Sequence, residues 1–224
     1  MPTALIIGAS RGIGHELARQ YRADGWRTIA TARREQDLAA LAELGCEAIG
    51  LDVTNVEQCA ALAWKLDDER IDVAVLNAGV YGPRTVGLDM PTQGDFDAVM
   101  HTNVLAAMRL LPIVGPLVGE AHGRLAVISS SMGSMAERSS ASGWLYRASK
   151  AALNSVLVDA ARVLGPQGAT CVTFHPGWVQ TDMGGEGADI TVEESVSGIR
   201  RTLAALKPQD NGKFFSYDGQ PLAW

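Results

Sequence analysis

The sequence has too few cysteines, too widely spaced, for a disulfide framework or a zinc site. The three thiols are Cys46, Cys59 and Cys171, and they form neither a C-x-x-C motif nor a cluster with histidine. Small secreted domains need paired cysteines and structural zinc needs grouped ligands, so both classes are disfavoured. The pattern predicts a protein of a reducing compartment, the cytoplasm, without a metal centre.

The sequence also lacks a run of basic residues. It carries 19 lysines and arginines against 25 aspartates and glutamates, a formal net charge of -6. Nucleic acids and anionic membranes attract clustered positive charge, so neither partner is expected. The start, MPTALIIGAS, has no basic segment before its apolar run, which disfavours a secretion signal.

No apolar run has the form of a membrane span. The longest, residues 104–118, contains Arg109 and is interrupted by Pro112 and Pro116. These absences together favour a soluble protein that acts on small molecules.

Seven short runs rich in β-branched residues alternate with amphipathic segments of helical period. The runs are residues 3–7, 27–32, 46–51, 71–76, 123–129, 169–174 and 212–217. Strands that alternate with helices form right-handed crossovers and a parallel sheet covered on both faces. With 47% hydrophobic residues, enough for one core, the sequence predicts a single doubly wound α/β domain over residues 1–224.

A glycine-rich turn, GASRGIG, follows the first predicted strand and opens a helix. Gly8, Gly12 and Gly14 stand where glycines let the backbone approach a pyrophosphate at a helix N-terminus. The alternative is a turn whose glycines serve only tight packing of strand against helix.

The stretch GWLYRASKAALN places Tyr146 and Lys150 four residues apart, on one face of a helix. A free tyrosine has a pKa near about 10, and a nearby cation favours the phenolate. The pair therefore suits proton exchange with a carbonyl or an alcohol oxygen. An isolated Y-x-x-x-K more often marks an amphipathic helix with an exposed lysine and a half-buried tyrosine, so the catalytic interpretation depends on the accompanying motifs.

Taken together, these motifs resemble the classical short-chain dehydrogenase/reductase family. Its G-x-x-x-G-x-G, N-A-G and Y-x-x-x-K marks stand here as residues 8–14, 77–79 and 146–150. The resemblance extends through LDV (51–53), HTNV (101–104), VISSS (127–131) and HPGWVQTDM (175–183), and so covers essentially the whole chain. YRASKAALN, HPGWVQTDMGG and the ending GKFFSYDGQPLAW resemble in particular the C-factor and sniffer-type carbonyl reductases. The resemblance implies a Rossmann-fold oxidoreductase with about seven parallel strands.

The resemblance also implies a catalytic set. Tyr146 would be the general acid or base, Lys150 would lower its pKa and hold the cofactor ribose, and Ser130 would orient the carbonyl oxygen, which needs donors as charge develops. Asn103 matches the family asparagine whose backbone holds a water that links the lysine to solvent; the alternative is a helix asparagine with local hydrogen bonds.

The serine assignment leaves alternatives open. Ser129, Ser131 and Ser134 are near neighbours of Ser130. The family commonly spaces its serine about thirteen residues before the tyrosine, whereas Ser130 and Tyr146 are sixteen apart. A longer loop beside the substrate pocket is expected.

Cofactor choice is predicted from the end of the second strand. Where NAD-binding turns carry an acidic residue, this sequence has Ala32, followed by Arg33 and Arg34, and Arg11 lies in the glycine turn. Arginines suit a 2′-phosphate, so NADP(H) is favoured over NAD(H). The cofactor-binding residues predicted from the turn chemistry and the resemblance are Gly8, Ser10, Arg11, Gly12, Ile13, Gly14, Arg33, Asp52, Val53, Asn77, Ala78, Gly79, Tyr146, Lys150, Pro176, Gly177, Val179 and Thr181.

These observations predict an NADPH-dependent carbonyl reductase, or alcohol dehydrogenase in reverse, acting on a small carbonyl or alcohol substrate. The alternative is a non-catalytic dinucleotide-binding protein of the C-factor type, for signalling or redox sensing. Members of the family often pair through the helices of residues 93–119 and 146–164, which is compatible with a homodimer or a homotetramer.

Overall fold

Strands and helices alternate along the chain in the computed structural model, which describes residues 1–185 and 187–224. The strands are β1 (Thr3–Ile7), β2 (Arg27–Ala32), β3 (Glu47–Gly50), β4 (Val73–Leu76), β5 (Arg124–Ile128), β6 (Thr170–His175) and β7 (Lys213–Ser216). The helices are α1 (Gly12–Ala23), α2 (Glu35–Glu43), α3 (Val56–Lys65), α4 (Gln93–Met100), α5 (Ala106–Glu120), α6 (Trp144–Leu164) and α7 (Val192–Ala205). All seven predicted strands form, with ends within two residues of the predicted bounds.

The seven strands make one parallel sheet in the order β3-β2-β1-β4-β5-β6-β7. The chain builds outward from β1 to β3, returns to the centre with β4, and continues to the other edge. This reversal makes β1 and β4 neighbours, and their carboxyl ends open the crevice in which such sheets bind ligands. The doubly wound fold is confirmed.

The central strands carry apolar side chains on both faces of the sheet. In β1, Leu5 and Ile7 pack with residues of α3, α5 and α6, while Ala4 and Ile6 pack with residues of α1, α2 and α7. Successive side chains of a strand point to opposite faces, so a strand covered on both sides is apolar at every position. This is why the runs lack polar alternation.

The two prolines expected to interrupt the apolar run do not end α5, which continues through Pro112 and Pro116. Each proline removes the donor to the carbonyl four residues earlier. Those carbonyls belong to Met108 and Pro112, on the exposed stripe of the helix, where water can replace the missing bond.

The continuous helical run Gln93–Glu120 has the length and the mean hydropathy of a membrane span. Of its most apolar stretch, 56% is buried inside the fold. The buried residues of α5 belong to the core between the sheet and its flanking helices. Burial of this kind is typical of a core helix.

We expect Gly123→Ala to lower the free energy of unfolding by about 1–3 kcal/mol, the usual range for overpacking. A Cβ at Gly123 would lie 2.6 Å from the carbonyl oxygens of Ile71 and Asp72, which are backbone atoms that cannot rotate away. Gly94→Ala is the control, because its Cβ would find only Thr92 Oγ1 at 3.9 Å and alanine favours a helix by about 0.5–1 kcal/mol. Neither glycine has a positive φ. Urea unfolding measures both; equal effects would contradict the packing argument.

Candidate active site

Tyr146 and Lys150 lie in the first two turns of α6, buried against the sheet. Helix α6 begins at Trp144, so Tyr146 is near its positive N-terminal end. Lys150 Nζ is 5.6 Å from the centroid of the Tyr146 ring and donates to the carbonyl oxygen of Ile128 at 2.8 Å. The predicted side-by-side arrangement is present, with both side chains removed from solvent.

Burial controls the protonation of both groups. Desolvation raises the pKa of Tyr146; the neighbouring Ser130 hydroxyl opposes this rise and the neighbouring Tyr81 adds to it. The net direction is opposite to the lowering by Lys150 that the sequence suggested. Burial also lowers the pKa of Lys150 to about 8. At neutral pH Tyr146 is therefore a phenol and Lys150 is mostly cationic.

The structure separates the candidate serines by their partners. Ser130 follows β5, is buried beside Tyr146 and accepts from Met132 N at 3.1 Å. Ser129 instead donates to Asn154 Oδ1 at 2.6 Å, and Ser134 accepts from Glu137 N at 3.0 Å. Both serve local structure. The fourth candidate, Ser131, begins a short 3-10 turn, residues Ser131–Gly133.

Asn103 lies in a π-helical turn, His101–Leu105, between α4 and α5. Its side chain clasps the backbone of Val80, accepting from N at 2.8 Å and donating to O at 2.8 Å. It also donates to Ser149 Oγ at 2.9 Å, and Ser149 donates to the Tyr146 carbonyl at 2.8 Å. Single π-turns of this kind are frequent at functional sites.

Gly79 joins this cluster to the strand-four turn. A Cβ at Gly79 would lie 3.3 Å from both Asn103 Oδ1 and Lys150 Nζ. A larger residue would press on both polar groups. The glycine thus allows the turn after β4 to approach the catalytic candidates closely.

Two glycines of the first turn are needed for packing. A Cβ at Gly8 would lie 2.8 Å from Ala78 Cα, and one at Gly14 would lie 2.1 Å from the Gly8 carbonyl oxygen. Asn77 Nδ2 donates to that same oxygen at 2.7 Å. The packing interpretation therefore holds for Gly8 and Gly14, which bring the turns after β1 and β4 together.

Gly12 differs, because it begins α1 and an added Cβ there would meet only the Thr181 side chain, at 3.2 Å. The N-cap residue Arg11 makes no side-chain capping bond. The partly buried Ser10 and Ile13 flank this open helix N-terminus. Free N–H groups at such an end suit a phosphate.

The arginines near the end of β2 have different partners. Arg34 donates to Asp37 at 2.8 and 3.0 Å, and Arg11 forms an ion pair with Asp182. Arg33 is exposed and makes no hydrogen bond or ion pair with the residues that the structure describes. Of the three, Arg33 has the guanidinium that forms no ion pair with a described carboxylate, although it lies near enough to Asp52 to help lower the pKa of that carboxyl.

No carboxylate ends β2, where Ala32 is buried. After β3, Asp52 accepts from Thr54 N at 2.9 Å and from Thr54 Oγ1 at 2.7 Å, and Val53 is buried. This polar and apolar pair lies at the carboxyl edge of the sheet, where the sequence predicts the adenine contact.

The loop after β6 folds back over the crevice. Val179 bridges Ile190, and Gly177, with a φ of +87°, allows the approach of Ile190, whose Cδ1 would lie 2.4 Å from an added Cβ. Thr181 Cγ2 would lie 3.2 Å from a Cβ at Gly12. The segment that begins at Pro176 thus reaches the glycine turn. Glu186, within the loop, is outside the described residues.

Sequence reasoning missed Tyr81. Its ring stacks on Tyr146, with centroids 4.5 Å apart and planes 22° apart. The guanidinium of Arg84 lies 5.1 Å from the Tyr81 centroid. The available signal was an aromatic residue two positions after N-A-G.

Comparison with known proteins finds sequence similarity over most of the chain. Residues 2–189 match the family model for short chain dehydrogenase. The 1-hydroxy-2-glutathionyl-2-methyl-3-butene dehydrogenase of Rhodococcus sp. (strain AD45) is 32% identical over 233 residues, covering 100% of both chains. The C-signal protein of Myxococcus xanthus is 37% identical over 155 residues, 69% of this chain and 93% of that one.

Solved structures of short-chain dehydrogenases and reductases have the same fold as this chain. A short-chain dehydrogenase/reductase from Burkholderia multivorans with bound NADP has a TM-score of 0.90 and 35% identity, covering 100% of this chain and 99% of that one. The carbonyl reductase Sniffer of D. melanogaster has a TM-score of 0.88 and 27% identity, covering 100% of both.

We expect Lys150→Met to stabilise the folded protein at neutral pH, with a gain that shrinks as the pH rises from about 8 to 10. The folded pKa lies below that of an unfolded lysine, so the unfolded chain binds more protons in this window and wild-type stability rises with pH. The variant has no such titration. Urea unfolding of both proteins at several pH values measures the difference; a gain that does not change with pH would contradict the assignment.

Proposed function

This chain belongs to the short-chain dehydrogenase family, and we propose that it is an NADPH-dependent carbonyl reductase with Tyr146 as its proton donor. The observation that carries the proposal is the buried cluster of Tyr146, Ser130 and Lys150 beside the glycine turn. When bound, NADPH supplies the hydride that reduces the carbonyl carbon. NADP(H) is the cofactor, in agreement with the NADP-bound relative.

The crevice fits this cofactor. The open N-terminus of α1 at Gly12 suits the pyrophosphate. Arg33 suits the 2′-phosphate, and the absence of a carboxylate at Ala32 removes the group that would repel it. The loop from Pro176 to Thr181 borders the same crevice and would hold the nicotinamide.

The chemistry follows from the protonation states. As the carbonyl carbon is reduced, its oxygen takes the phenol proton of Tyr146 and the product is an alcohol. Ser130 donates a hydrogen bond to the same oxygen and stabilises its developing negative charge. The ammonium of Lys150 stabilises the phenolate that remains, until solvent returns a proton. Alcohol oxidation reverses these steps.

The substrate class is a small carbonyl compound or alcohol. The exposed Trp144 and Met183 offer apolar surface near the pocket mouth. Three free, buried thiols suit the cytoplasm, which we propose as the location. A homodimer or homotetramer through α4, α5 and α6 belongs to the same proposal, without nucleic-acid or membrane partners.

The similarity to C-signal favours a second candidate, a dinucleotide-binding signalling protein without catalysis. Such a protein has no need of a buried phenol with a donor serine and a buried lysine. A panel of aldehydes, ketones and quinones, followed by NADPH absorbance, separates the two. Tight NADPH binding with no turnover on the whole panel would favour the signalling candidate.

We expect Tyr146→Phe to reduce NADPH oxidation with 4-nitrobenzaldehyde by at least about 10²-fold, because the proton donor is lost. NADPH affinity, followed by fluorescence titration, should change little. Tyr21→Phe, which removes another buried phenol on α1, is the matched control and should retain activity. Full activity in Tyr146→Phe would remove the mechanism.

Arg33→Ala should weaken NADPH binding by about tenfold or more, since a charge-assisted contact to phosphate is lost. NADH binding should change little, because it lacks the 2′-phosphate. Arg34→Ala is the matched control, since its guanidinium already pairs with Asp37. Equal losses for NADPH and NADH, or a larger effect at Arg34, would contradict the assignment. Isothermal titration with each nucleotide provides the measurement.

A further inference from the structure

We propose that Tyr81 is a positioning residue that sets the orientation of the Tyr146 phenol by stacking on its ring. This proposal rests on the role of Tyr146 given above. Tyr81 lies in the turn after β4, two residues beyond the N-A-G motif, and is partly buried.

The contact itself restricts Tyr146. The two rings are nearly parallel, 22° apart, and their centroids are separated by 4.5 Å. Aromatic pairs at this spacing have a specific geometry and contribute about 0.5–1.5 kcal/mol beyond burial. The stack therefore restricts the orientation of the Tyr146 ring plane.

Tyr81 can restrict the Tyr146 ring because contacts on both sides fix the position of Tyr81 itself. The residue before it, Val80, has both backbone polar groups clasped by the buried side chain of Asn103. Arg84 lies against the Tyr81 ring and donates to the Met183 carbonyl at 3.0 Å. The Tyr81 ring is thus connected to α5 through the π-helical turn that carries Asn103, and to the loop after β6 through Arg84.

Its other support is the end of the long loop before α6. Gly143 donates from N to the Thr85 carbonyl oxygen at 3.1 Å, which ties the loop to the segment that carries Tyr81. A Cβ at Gly143 would lie 2.5 Å from the Tyr81 hydroxyl oxygen. Only glycine, here with a φ of +64°, leaves room for that hydroxyl. The loop between Ser130 and α6, which the sequence predicts to be longer than usual, thus ends at a glycine that packs against Tyr81.

Orientation matters because proton transfer needs the donor within hydrogen-bond reach of the carbonyl oxygen. A misplacement of about 1 Å can cost about 10²-fold in rate. Tyr81 does not supply the proton, so its hydroxyl should matter less than its ring. This distinguishes a positioning role from a catalytic one.

The test compares Tyr81→Leu with Tyr81→Phe in single-turnover reduction of 4-nitrobenzaldehyde by the NADPH-loaded enzyme. We expect Tyr81→Leu to slow the reaction by at least about tenfold and to increase its solvent deuterium isotope effect, with NADPH affinity nearly unchanged. Tyr81→Phe keeps the stacked ring and should restore most of the rate. A Leu variant with the wild-type rate and isotope effect, or a Phe variant as slow as Leu, would overturn the proposal.

The matched control is Tyr21→Leu, which removes a similar arrangement away from the site. The ring centroids of Tyr21 and Trp26 are 4.9 Å apart, and the guanidinium carbon of Arg200 lies 4.4 Å from the Tyr21 centroid. It should lower thermal stability without raising the isotope effect. A raised isotope effect in this control would mean that general loosening explains the Tyr81 result and would overturn the proposal.

A crystal structure of Tyr81→Leu gives a readout that needs no substrate. We expect the Tyr146 ring to be displaced or to occupy more than one orientation; an unmoved ring would overturn the proposal. Failure of the proposed function is distinguishable, because it would leave Tyr146→Phe active, whereas failure of this inference leaves Tyr146→Phe inactive and Tyr81→Leu normal.

Discussion

The site depends on the burial of one cationic side chain. Lys150 is 3% exposed, and its ammonium has the Ile128 carbonyl as its hydrogen-bond partner among the described residues. A buried charge is expensive unless polar groups surround it. The β5 carbonyl, the nearby Asn103 amide and the close approach at Gly79 provide such surroundings. Tyr146 is buried beside Lys150, and this burial raises the pKa of the phenol, so the hydroxyl stays protonated at neutral pH.

Close backbone approach at the centre of the sheet is the second constraint. Gly8, Gly14 and Gly79 each stand where a side chain would collide with a neighbouring turn or a buried polar group. These contacts hold the turns after β1 and β4 against each other and bring the second of them close to Lys150. The packing interpretation of the glycine motif is therefore confirmed at Gly8 and Gly14, and it is compatible with the proposed binding role of the same turn. Gly12, at the helix N-terminus, is the position where we propose that the cofactor phosphates bind.

The pocket side of the site depends on segments that are distant in sequence. Tyr81 follows β4, Gly143 precedes α6, and Met183 belongs to the loop after β6, yet hydrogen bonds and ring contacts join them. Arg11 likewise pairs with Asp182, which links the glycine turn to the same loop. Three chain segments that are distant in sequence thus support one another beside Tyr146.

The seven strands, the parallel sheet, and the positions of Tyr146, Lys150 and the glycine turn could be predicted from the sequence. Local periodicity, four-residue helical spacing and glycine at strand ends are properties of short segments. The tertiary structure decided the continuity of α5 through Pro112 and Pro116. Only the packing of the helix shows that Met108 and Pro112, whose carbonyls lose their donors, lie on its exposed side. The tertiary structure also decided which arginine forms no ion pair with a described carboxylate, and the direction in which the pKa of Tyr146 shifts. These depend on how deeply a group is buried and which distant residues surround it, as does the stack of Tyr81 on Tyr146, which no pattern of nearby residues encodes.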